Sequence, residues 1–483
     1  MHGSGSLRTC AASAERAVSR LRAQQQGVCR PLVMRAKRRA QARRAPRAAQ
    51  AVSAPPDKSG SPRAGGSKMP RADEVDVEHV LSHFGPETER DESGRLLLRA
   101  LSWDELGRLL GLLGVGAHRQ AHIWRWIHKY NIQVLEEARG TAHAIGKDLR
   151  SLLLRVATLD TGMVVHTVHR ASDGTRKMVL MATEGPNRGR TAEAVVIPMD
   201  QGPDKKPRYT LCVSSQVGCA MGCEFCHTGK MGLLGNLRAA EILEQLSKAR
   251  RLLQDEGDSV PIRNIVYMGM GEPFHNMEAV LRSLDVITAR PGDGAGISAR
   301  SITVSTVGLV PEIRRFHHEA APTQLAVSLH APNDELRSRI VPVNRRYDLA
   351  ELMGTLRELY PLGADARGGS RAWREARERA GGGKPRFVIF EYTMLAGVND
   401  SVECAQQLVE LVRGVFCMVN LISFNTHEGA QFQGSSPEAM AAFRAVLRDA
   451  GLVCTIRESR GDDEMAACGQ LGDLAMAGAA KKQ

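Results

Sequence analysis

The chain has 483 residues, of which 43% are hydrophobic and 24% charged, and this length predicts a large domain with a smaller accessory one. The absence of any run of about 18 apolar residues argues against a membrane-spanning helix. The formal charge of +12 is distributed unevenly along the chain. Residues 1–70 carry 15 basic side chains against two acidic ones, whereas the remainder has a net charge of −1. The overall charge therefore gives no indication of a nucleic-acid partner.

The N-terminal segment, residues 1–70, is rich in Arg, Ser and Ala and poor in acids. This composition disfavours a packed core and is typical of organelle transit peptides. A secretory signal is disfavoured because no apolar stretch follows the first basic residues. We expect an organellar protein, in the chloroplast stroma rather than the mitochondrion. The alternative is a disordered basic tail on a cytoplasmic protein.

Helical patterns dominate residues 71–160 and predict a helical accessory domain. Ser102 and Glu105 form a capping-box pattern ahead of an apolar run, and a second helix is expected from Arg119. The segment 124–130 mixes aromatic and basic side chains, which favours an RNA-binding domain whose rings stack on bases. Packing of the two tryptophans between helices is the alternative.

Strand-like segments begin at residue 161 and continue almost to the end of the chain. Residues 161–208 predict an extended linker or antiparallel β element. From 209 to 475 six strand-like segments alternate with helical ones, which predicts an α/β fold, a partial (β/α)6 barrel with its active site at the carboxyl ends of the strands. The predicted strands are 209–215, 264–270, 301–306, 324–331, 386–395 and 418–424, and the predicted helices are 237–254, 275–289, 347–359, 401–413 and 436–450.

One interval, residues 364–386, interrupts this alternation. It is rich in Gly and Arg and carries seven basic side chains against three acidic ones. We expect a solvated surface loop inserted before the fifth barrel strand, with contact to RNA as the alternative. Residues 476–483 are expected to form a short tail.

Four of the ten cysteines, Cys212, Cys219, Cys223 and Cys226, fall within fifteen residues. The last three form a CxxxCxxC pattern, which lets one loop present three soft thiolates to an iron-sulfur cluster or to zinc. Three protein ligands on a [4Fe-4S] cluster leave one iron open to a small molecule. The alternative is a closed zinc site with Cys212 or His227 as the fourth ligand.

The segment MGMGEP, residues 268–273, ends the second predicted barrel strand. Gly271 allows the backbone to approach a ligand closely, and the carboxylate of Glu272 can receive an ammonium group. An ordinary turn would explain this motif equally well when it is considered alone.

Six motifs, in this order, resemble the RlmN/Cfr family of radical S-adenosylmethionine (SAM) adenine methyltransferases: TLCVSSQVGCAMGCEFCHTG, MGMGEP, TVSTVGLVP, LAVSLHAPND, FNTHEG and RGDDEMAACGQL. The similarity covers residues 95 to about 475 and implies a radical SAM barrel over 209–475. It implies a [4Fe-4S] cluster on Cys219, Cys223 and Cys226, and SAM contacts from Gly271, Glu272, Ser305, Ser328, Leu329, His330 and Asn425.

The resemblance also assigns catalytic roles to two cysteines and a carboxylate. A radical route is needed because carbon 2 of adenine is not nucleophilic. Cys468 accepts a methyl group from one SAM, and the radical from a second SAM then removes hydrogen from that group, so that each turnover uses two SAM. Cys212 releases the product by forming a transient disulfide with Cys468, and Glu193 accepts the proton from the base.

The substrate implied by the resemblance is an adenosine of large-subunit ribosomal RNA, methylated at carbon 2, with transfer RNA as a second candidate. Loop adenines are the accessible targets. We expect an electron donor such as ferredoxin or flavodoxin, no membrane partner and a monomer. The alternatives are methylation at carbon 8, a zinc-stabilised RNA-binding protein without catalysis, and a radical SAM enzyme that acts on a protein or metabolite.

Three features depart from the family pattern. Val307 occupies a position where a small polar residue is usual, His427 replaces a common proline, and the insertion 364–386 has no bacterial counterpart. None of them removes a required functional group.

Overall fold

The computed structural model describes residues 70–139, 144–199, 206–289, 295–362, 386–427, 429–457 and 459–472. The predicted transit peptide, the tail and nearly all of the 364–386 insertion therefore lie outside the described residues. Within the described ranges, no helix has the length and apolar character needed to cross a membrane.

The accessory part consists of short helices, and the capping box predicted at Ser102 begins one of them. The Ser102 hydroxyl accepts a hydrogen bond from the Glu105 N–H, and the Glu105 carboxylate accepts one from the Ser102 N–H. The helices are α1 (Val77–Ser82), α2 (Trp103–Leu112), α3 (His118–Trp124) and α4 (Lys147–Val156).

The aromatic residues at the end of α3 and directly after it serve mainly for packing. Trp124 is fully buried against Trp103, with ring centroids 5.5 Å apart, and Trp126 is also buried. Neither ring can stack on a base at the surface. Tyr130, which packs against Trp126, remains 53% exposed.

A single ten-stranded sheet dominates the fold, in the order β14-β13-β12-β11-β10-β9-β6-β5-β4-β3. Its strands are β3 (Met163–Arg170), β4 (Arg176–Ala182), β5 (Thr191–Met199), β6 (Arg208–Cys212), β9 (Ile262–Tyr267), β10 (Ile302–Thr306), β11 (Gln324–Ser328), β12 (Val388–Met394), β13 (Cys417–Ser423) and β14 (Val453–Arg457). Two short pairs stand apart, namely β1 (Leu96–Leu97) with β2 (Ala157–Thr158), and β7 (Gln216–Cys219) with β8 (Gly232–Asn236).

All neighbouring strands from β6 to β14 run parallel, and this confirms the predicted α/β barrel. The five predicted barrel helices form within a few residues of their expected ends. Three further helices, α5 (His227–Met231), α8 (Val310–Glu319) and α9 (Asp334–Ile340), and the strand β14 were not predicted. The helices of this part are α5 (His227–Met231), α6 (Ala239–Asp255), α7 (Met277–Thr288), α8 (Val310–Glu319), α9 (Asp334–Ile340), α10 (Leu349–Leu359), α11 (Val402–Leu411) and α12 (Pro437–Asp449).

The extended segment 161–208 does more than link two domains. Its strands β3, β4 and β5 form an antiparallel extension of the barrel sheet, joined through the β5–β6 pair. The alternating pattern predicted these strands correctly, but it could not identify their partner.

The accessory helices share one apolar core with the barrel. A carboxylate also joins the two parts, because Glu89 accepts hydrogen bonds from the first backbone N–H groups of α6, at 2.6 Å from Ala239 and 2.8 Å from Ala240. A buried ion pair between Arg99 and Glu244, at 2.6 Å, lies in the same interface. The accessory part is therefore fixed against the barrel.

Candidate active site

A cavity lies at the carboxyl ends of the parallel strands. It has about 1000 Å³ of space between its walls, part of it open to solvent. Its walls include nine of the residues predicted to form the site: Cys219, Cys223, Cys226, Gly271, Glu272, Ser305, Ser328, His330 and Cys468. The chain thus brings together at one place residues that are separated by up to 249 positions in the sequence.

The three clustered cysteines occupy the turn between β7 and α5. Cys219 ends β7, and Cys223 and Cys226 pack among apolar side chains of the same wall. The turn requires glycine at position 218, because a Cβ there would lie 2.0 Å from the carbonyl oxygen of Gly232. Burial raises the pKa of the Cys219 thiol to about 12.

The chemistry of these thiols suits an iron-sulfur cluster. Thiolates are the usual protein ligands of such clusters, and three of them leave one iron of a [4Fe-4S] cluster open to a small molecule. Cys212, a proposed fourth zinc ligand, packs instead in an apolar group with Met231 and Met270. The donor set therefore fits a [4Fe-4S] cluster.

A buried arginine supports the wall behind the cysteines. Arg337 has no exposed surface, and its guanidinium donates to the carbonyl oxygens of Leu329, Ser328 and Val307 and to the side-chain oxygen of Asn344, at 2.6–3.2 Å. Arg337 therefore ties together the ends of β10 and β11 and adds positive charge beside the thiols.

Gly271 and Glu272 form the rim that follows β9. Gly271 has a φ of +96°, and a Cβ at this position would lie 2.5 Å from the Cβ of Gln216. The Glu272 carboxylate accepts hydrogen bonds from the N–H groups of Val307, at 2.9 Å, and Phe274, at 3.0 Å. Burial raises the pKa of Glu272 to about 7. Val307 makes this contact through its backbone N–H, which a small polar residue at this position would supply equally well.

His330 is held as a neutral ring. Its φ of +59° is unusual for a residue with a side chain, and its Nδ1 accepts a hydrogen bond from the Thr393 N–H. The ring meets Phe225 edge-on, with centroids 4.6 Å apart. Burial lowers the pKa of His330 to about 3, so that Nε2 carries the only ring proton.

The serine hydroxyls predicted to contact SAM lie together, whereas two other predicted residues do not line the cavity. The Oγ atoms of Ser305 and Ser328 are 3.4 Å apart. The Leu329 side chain is fully buried in the core. Asn425 donates a hydrogen bond to the Cys468 carbonyl oxygen, at 3.1 Å, and thereby supports the segment that carries this cysteine. Their contacts with SAM stay predictions.

The segment that carries Cys468 is anchored to the helix that follows the cysteine turn. The His227 N–H donates to the Gly469 carbonyl at 2.8 Å, and the Thr228 hydroxyl donates to the Leu471 carbonyl. The Cys468 side chain itself is exposed to the cavity. The surrounding walls still raise the pKa of its thiol, because they exclude most of the solvent.

Cys212 lies behind Cys468, at the end of β6. Burial, and then the nearby Cys468, raise the pKa of Cys212 to about 12, whereas the guanidinium of Arg457 opposes this shift. Arg457 has the same effect on Cys468. The eight cysteines among the described residues are free thiols.

Glu193 does not line the cavity but lies against the segment of Cys468. Its carboxylate accepts a hydrogen bond from the Gly472 N–H, at 3.2 Å, and lies 3.8 Å from the Lys177 ammonium group. Glu184, the neighbouring carboxylate in the sequence, instead faces Asp160 and Asp91. Of the two, Glu193 is the one that contacts the segment of Cys468, and its role as proton acceptor stays a prediction.

Two charged residues of the cavity were not predicted. Glu391 of β12 and Arg457 of β14 both line it. The position of Glu391 within the otherwise apolar run RFVIFEYTML could have indicated that this carboxylate has a functional role. Arg457 gave no comparable signal because β14 itself was not predicted.

Comparisons with known proteins agree with this geometry. Residues 213–366 match the radical SAM superfamily. The chain is 41% identical to the probable dual-specificity RNA methyltransferase RlmN of Moorella thermoacetica, over 78% of this chain and 97% of that protein. It is 40% identical to the dual-specificity RNA methyltransferase RlmN of Pelobacter propionicus, over 77% of this chain and 95% of that protein. A radical SAM methyltransferase from Sphaerobacter thermophilus has the same fold, with 38% identity and a TM-score of 0.65 over 77% of this chain and 98% of that one.

Proposed function

Since the chain belongs to the RlmN family of dual-specificity RNA methyltransferases, we propose that it methylates carbon 2 of an adenosine in large-subunit ribosomal RNA, with transfer RNA as a second substrate. The enzyme is of the radical SAM class. One observation carries the proposal: Cys468 opens into the cavity that the three clustered cysteines and Glu272 also line. A methyl-accepting thiol and the groups that generate a radical therefore share one enclosure.

The family implies a [4Fe-4S] cluster and SAM as cofactors, which together supply a 5′-deoxyadenosyl radical when bound. Cys219, Cys223 and Cys226 hold the cluster. Glu272 receives the ammonium group of SAM, and burial of its carboxylate strengthens that charge pair. Ser305, Ser328 and His330 orient the remainder of SAM by hydrogen bonds.

Cys468 carries the methyl group between SAM and RNA. Its thiolate attacks the methyl carbon of one SAM, so that an S–CH3 bond forms on Cys468 and S-adenosylhomocysteine leaves. Transfer of a hydrogen atom from this thioether to the 5′-deoxyadenosyl radical that a second SAM would supply gives 5′-deoxyadenosine and leaves a carbon radical on Cys468, which adds to the base. Each product therefore consumes two SAM. Arg457 supports the first step because a guanidinium beside a thiol favours the thiolate.

Cys212 and Glu193 complete turnover. Glu193 accepts the hydrogen of carbon 2 as a proton, and the adduct radical gives up one electron, for which the oxidised cluster would be the acceptor. The Cys212 thiolate attacks the Cys468 sulfur, which forms an S–S bond, breaks the bond from sulfur to the transferred carbon, and leaves the electron pair on that carbon for protonation. A cellular thiol reductant then restores both thiols. An electron donor such as ferredoxin or flavodoxin supplies the electron that reduces the cluster. The enzyme acts as a monomer.

The test of this function is anaerobic reconstitution followed by methylation of ribosomal and transfer RNA with SAM that carries a deuterated methyl group. We expect 2-methyladenosine with label from the wild type and none from Cys468→Ala. Cys417→Ala, which alters a buried cysteine outside the cavity, is the matched control and should retain activity. Formation of 8-methyladenosine would assign the carbon-8 reaction instead. A colourless zinc protein without activity would contradict the proposal.

For the location of the protein we propose the chloroplast stroma, on the basis of the composition of residues 1–70. A fluorescent protein fused behind these residues should enter plastids. A fusion that stays in the cytosol or enters mitochondria would contradict this proposal, and a fusion without residues 1–70 is the control.

A further inference from the structure

Two charged side chains in the cavity, Glu391 and Arg457, take no part in holding the cluster. They lie on β12 and β14, with β13 between them. In the strand register Glu391 faces Asn420, and Asn420 faces Thr455, which is two residues before Arg457. Because side chains alternate along a strand, all four residues share one face of the sheet. Both charged groups therefore point into the cavity that they line.

The carboxylate of Glu391 is fixed in place but only half used. Its Oε1 accepts a hydrogen bond from the Asn420 Nδ2, at 3.2 Å, and Asn420 in turn accepts one from the Thr455 hydroxyl. Its Oε2 is buried and has no hydrogen-bond partner among the described residues. A buried acceptor without a donor is unfavourable. This oxygen is therefore a binding position for an N–H or O–H of a ligand.

Arg457 lies near both this carboxylate and the reactive thiols. Cys468 and Glu391 are its main electrostatic neighbours, followed by Cys212. Among the described residues it forms no ion pair, and its Nη1 lies 3.6 Å from the Met268 sulfur, a weak acceptor. Its guanidinium thus has donors available for a ligand that lies beside Cys468.

We propose that Glu391 and Arg457 bind the Watson–Crick edge of the adenine to be methylated. This inference rests on the proposed function. Glu391 Oε2 accepts a hydrogen bond from the exocyclic amine, and Arg457 donates one to ring nitrogen N1. In adenine, N1 lies between the carbon that bears the amine and carbon 2. A base whose amine meets Glu391 and whose N1 meets Arg457 therefore directs carbon 2 toward Cys468.

This arrangement selects both the base and the carbon. Guanine presents an oxygen where adenine has its amine and an N–H where adenine has N1, so two like groups would meet at each contact. Carbon 8 lies on the opposite side of the purine from the Watson–Crick edge. A base held by this edge therefore presents carbon 2, rather than carbon 8, to Cys468.

The test compares RNA substrates that differ in one group of the target base. Purine riboside lacks the amine, and 7-deazaadenosine lacks a nitrogen on the other edge. For the wild type we expect kcat/KM to fall by about 10- to 100-fold with purine riboside and to change little with 7-deazaadenosine. Glu391→Gln should lose this discrimination, because the amide oxygen pairs with Asn420 and the amide NH2 faces the amine. Glu403→Gln, at an exposed position on α11, should keep it.

Any difference in intrinsic reactivity between purine riboside and adenosine is the same for every variant. It therefore cancels when the ratio of kcat/KM for the two RNAs is compared between variants. Equal discrimination in the wild type and Glu391→Gln overturns the inference, as does a wild type that does not discriminate. A rise only in the KM for SAM would also overturn it, by assigning Glu391 to the cofactor. If Glu391→Gln is inactive, its discrimination is measured instead as the ratio of the equilibrium affinities for the adenosine RNA and the purine riboside RNA, and this ratio is compared with that of the wild type.

Failure of the proposed function would be recognised separately. A wild type that neither methylates Cys468 without RNA nor modifies unaltered RNA refutes the function, whatever the analogues do. Methylation of Cys468 by Glu391→Gln without RNA shows that this variant is folded and binds SAM.

Discussion

The Nδ1 atom of His330 accepts a hydrogen bond of 3.0 Å from the backbone N–H of Thr393, and burial, followed by the nearby guanidinium of Arg337, lowers the pKa of this imidazole and keeps it neutral. The folded-state pKa of about 3 lies far below the value of about 6.5 in an unfolded chain. The unfolded chain therefore takes up a proton as the pH falls through 6.5, whereas the folded protein does not until about pH 3. Stability is lost across that window as the pH decreases.

This predicts that His330→Asn makes stability less dependent on pH. The Asn side-chain oxygen can accept the same N–H, and Asn tolerates the positive φ. Between pH 7 and pH 5 the wild type should lose about 2 kcal/mol more unfolding free energy than the variant. Urea denaturation at the two pH values measures this difference, and an equal loss in both proteins would contradict the prediction.

Replacement of Arg337 by Met should strongly destabilise the protein. The change leaves three carbonyl oxygens and the Asn344 side chain without their donor. We expect a loss of roughly 3–5 kcal/mol in unfolding free energy. Arg339→Met on the same helix, at an exposed position, should cost less than about 0.5 kcal/mol. Similar losses in the two variants would show that the buried bonds of Arg337 contribute little.

Gly271→Ala should impair the use of SAM. The added Cβ meets Gln216 and the φ of +96° disfavours any side chain, so the rim must move. We expect the rate of Cys468 methylation without RNA, expressed as kcat/KM for SAM, to fall on the order of 100-fold. Gly257 also has a positive φ but has open space around it, so Gly257→Ala controls for backbone strain. A normal rate in Gly271→Ala would argue against a SAM contact at this rim.

Cys212→Ala should trap a covalent complex between enzyme and RNA. Without the second thiol, the bond from the Cys468 sulfur to the transferred carbon cannot be exchanged for a disulfide. Denaturing gels of the reaction should show a band that contains protein and RNA and that disappears on RNase treatment. Cys417→Ala is the control. Free methylated RNA released at the normal rate by Cys212→Ala would refute the release step.

Most of the barrel could be predicted because its strands are apolar runs separated by amphipathic helices. The strand β14 escaped prediction because Val453, Cys454 and Ile456 are only partly buried, so that their pattern is weak. The partner of β5 was also beyond prediction, since pairing depends on contacts between distant segments. The cysteine turn and Gly271 were accessible because local spacing and backbone geometry determine them.

The charged residues in the interior were the hardest to predict. The sequence around Arg337 is DELRSRI, which is typical of an exposed helix, and nothing local indicates that this arginine faces four buried oxygens. Glu391 faces the cavity only because the register with Asn420 turns it inward. In both cases the side chain's environment comes from neighbouring strands, which a single segment does not reveal.

The bonds from His227 and Thr228 to the segment of Cys468 couple two parts of the site that are far apart in the sequence. These two residues directly follow Cys226, so the segment of Cys468 is bonded to the turn that carries the three clustered cysteines. A displacement of this turn would therefore be transmitted to Cys468 through the backbone, without any change in the residues around Cys468 itself.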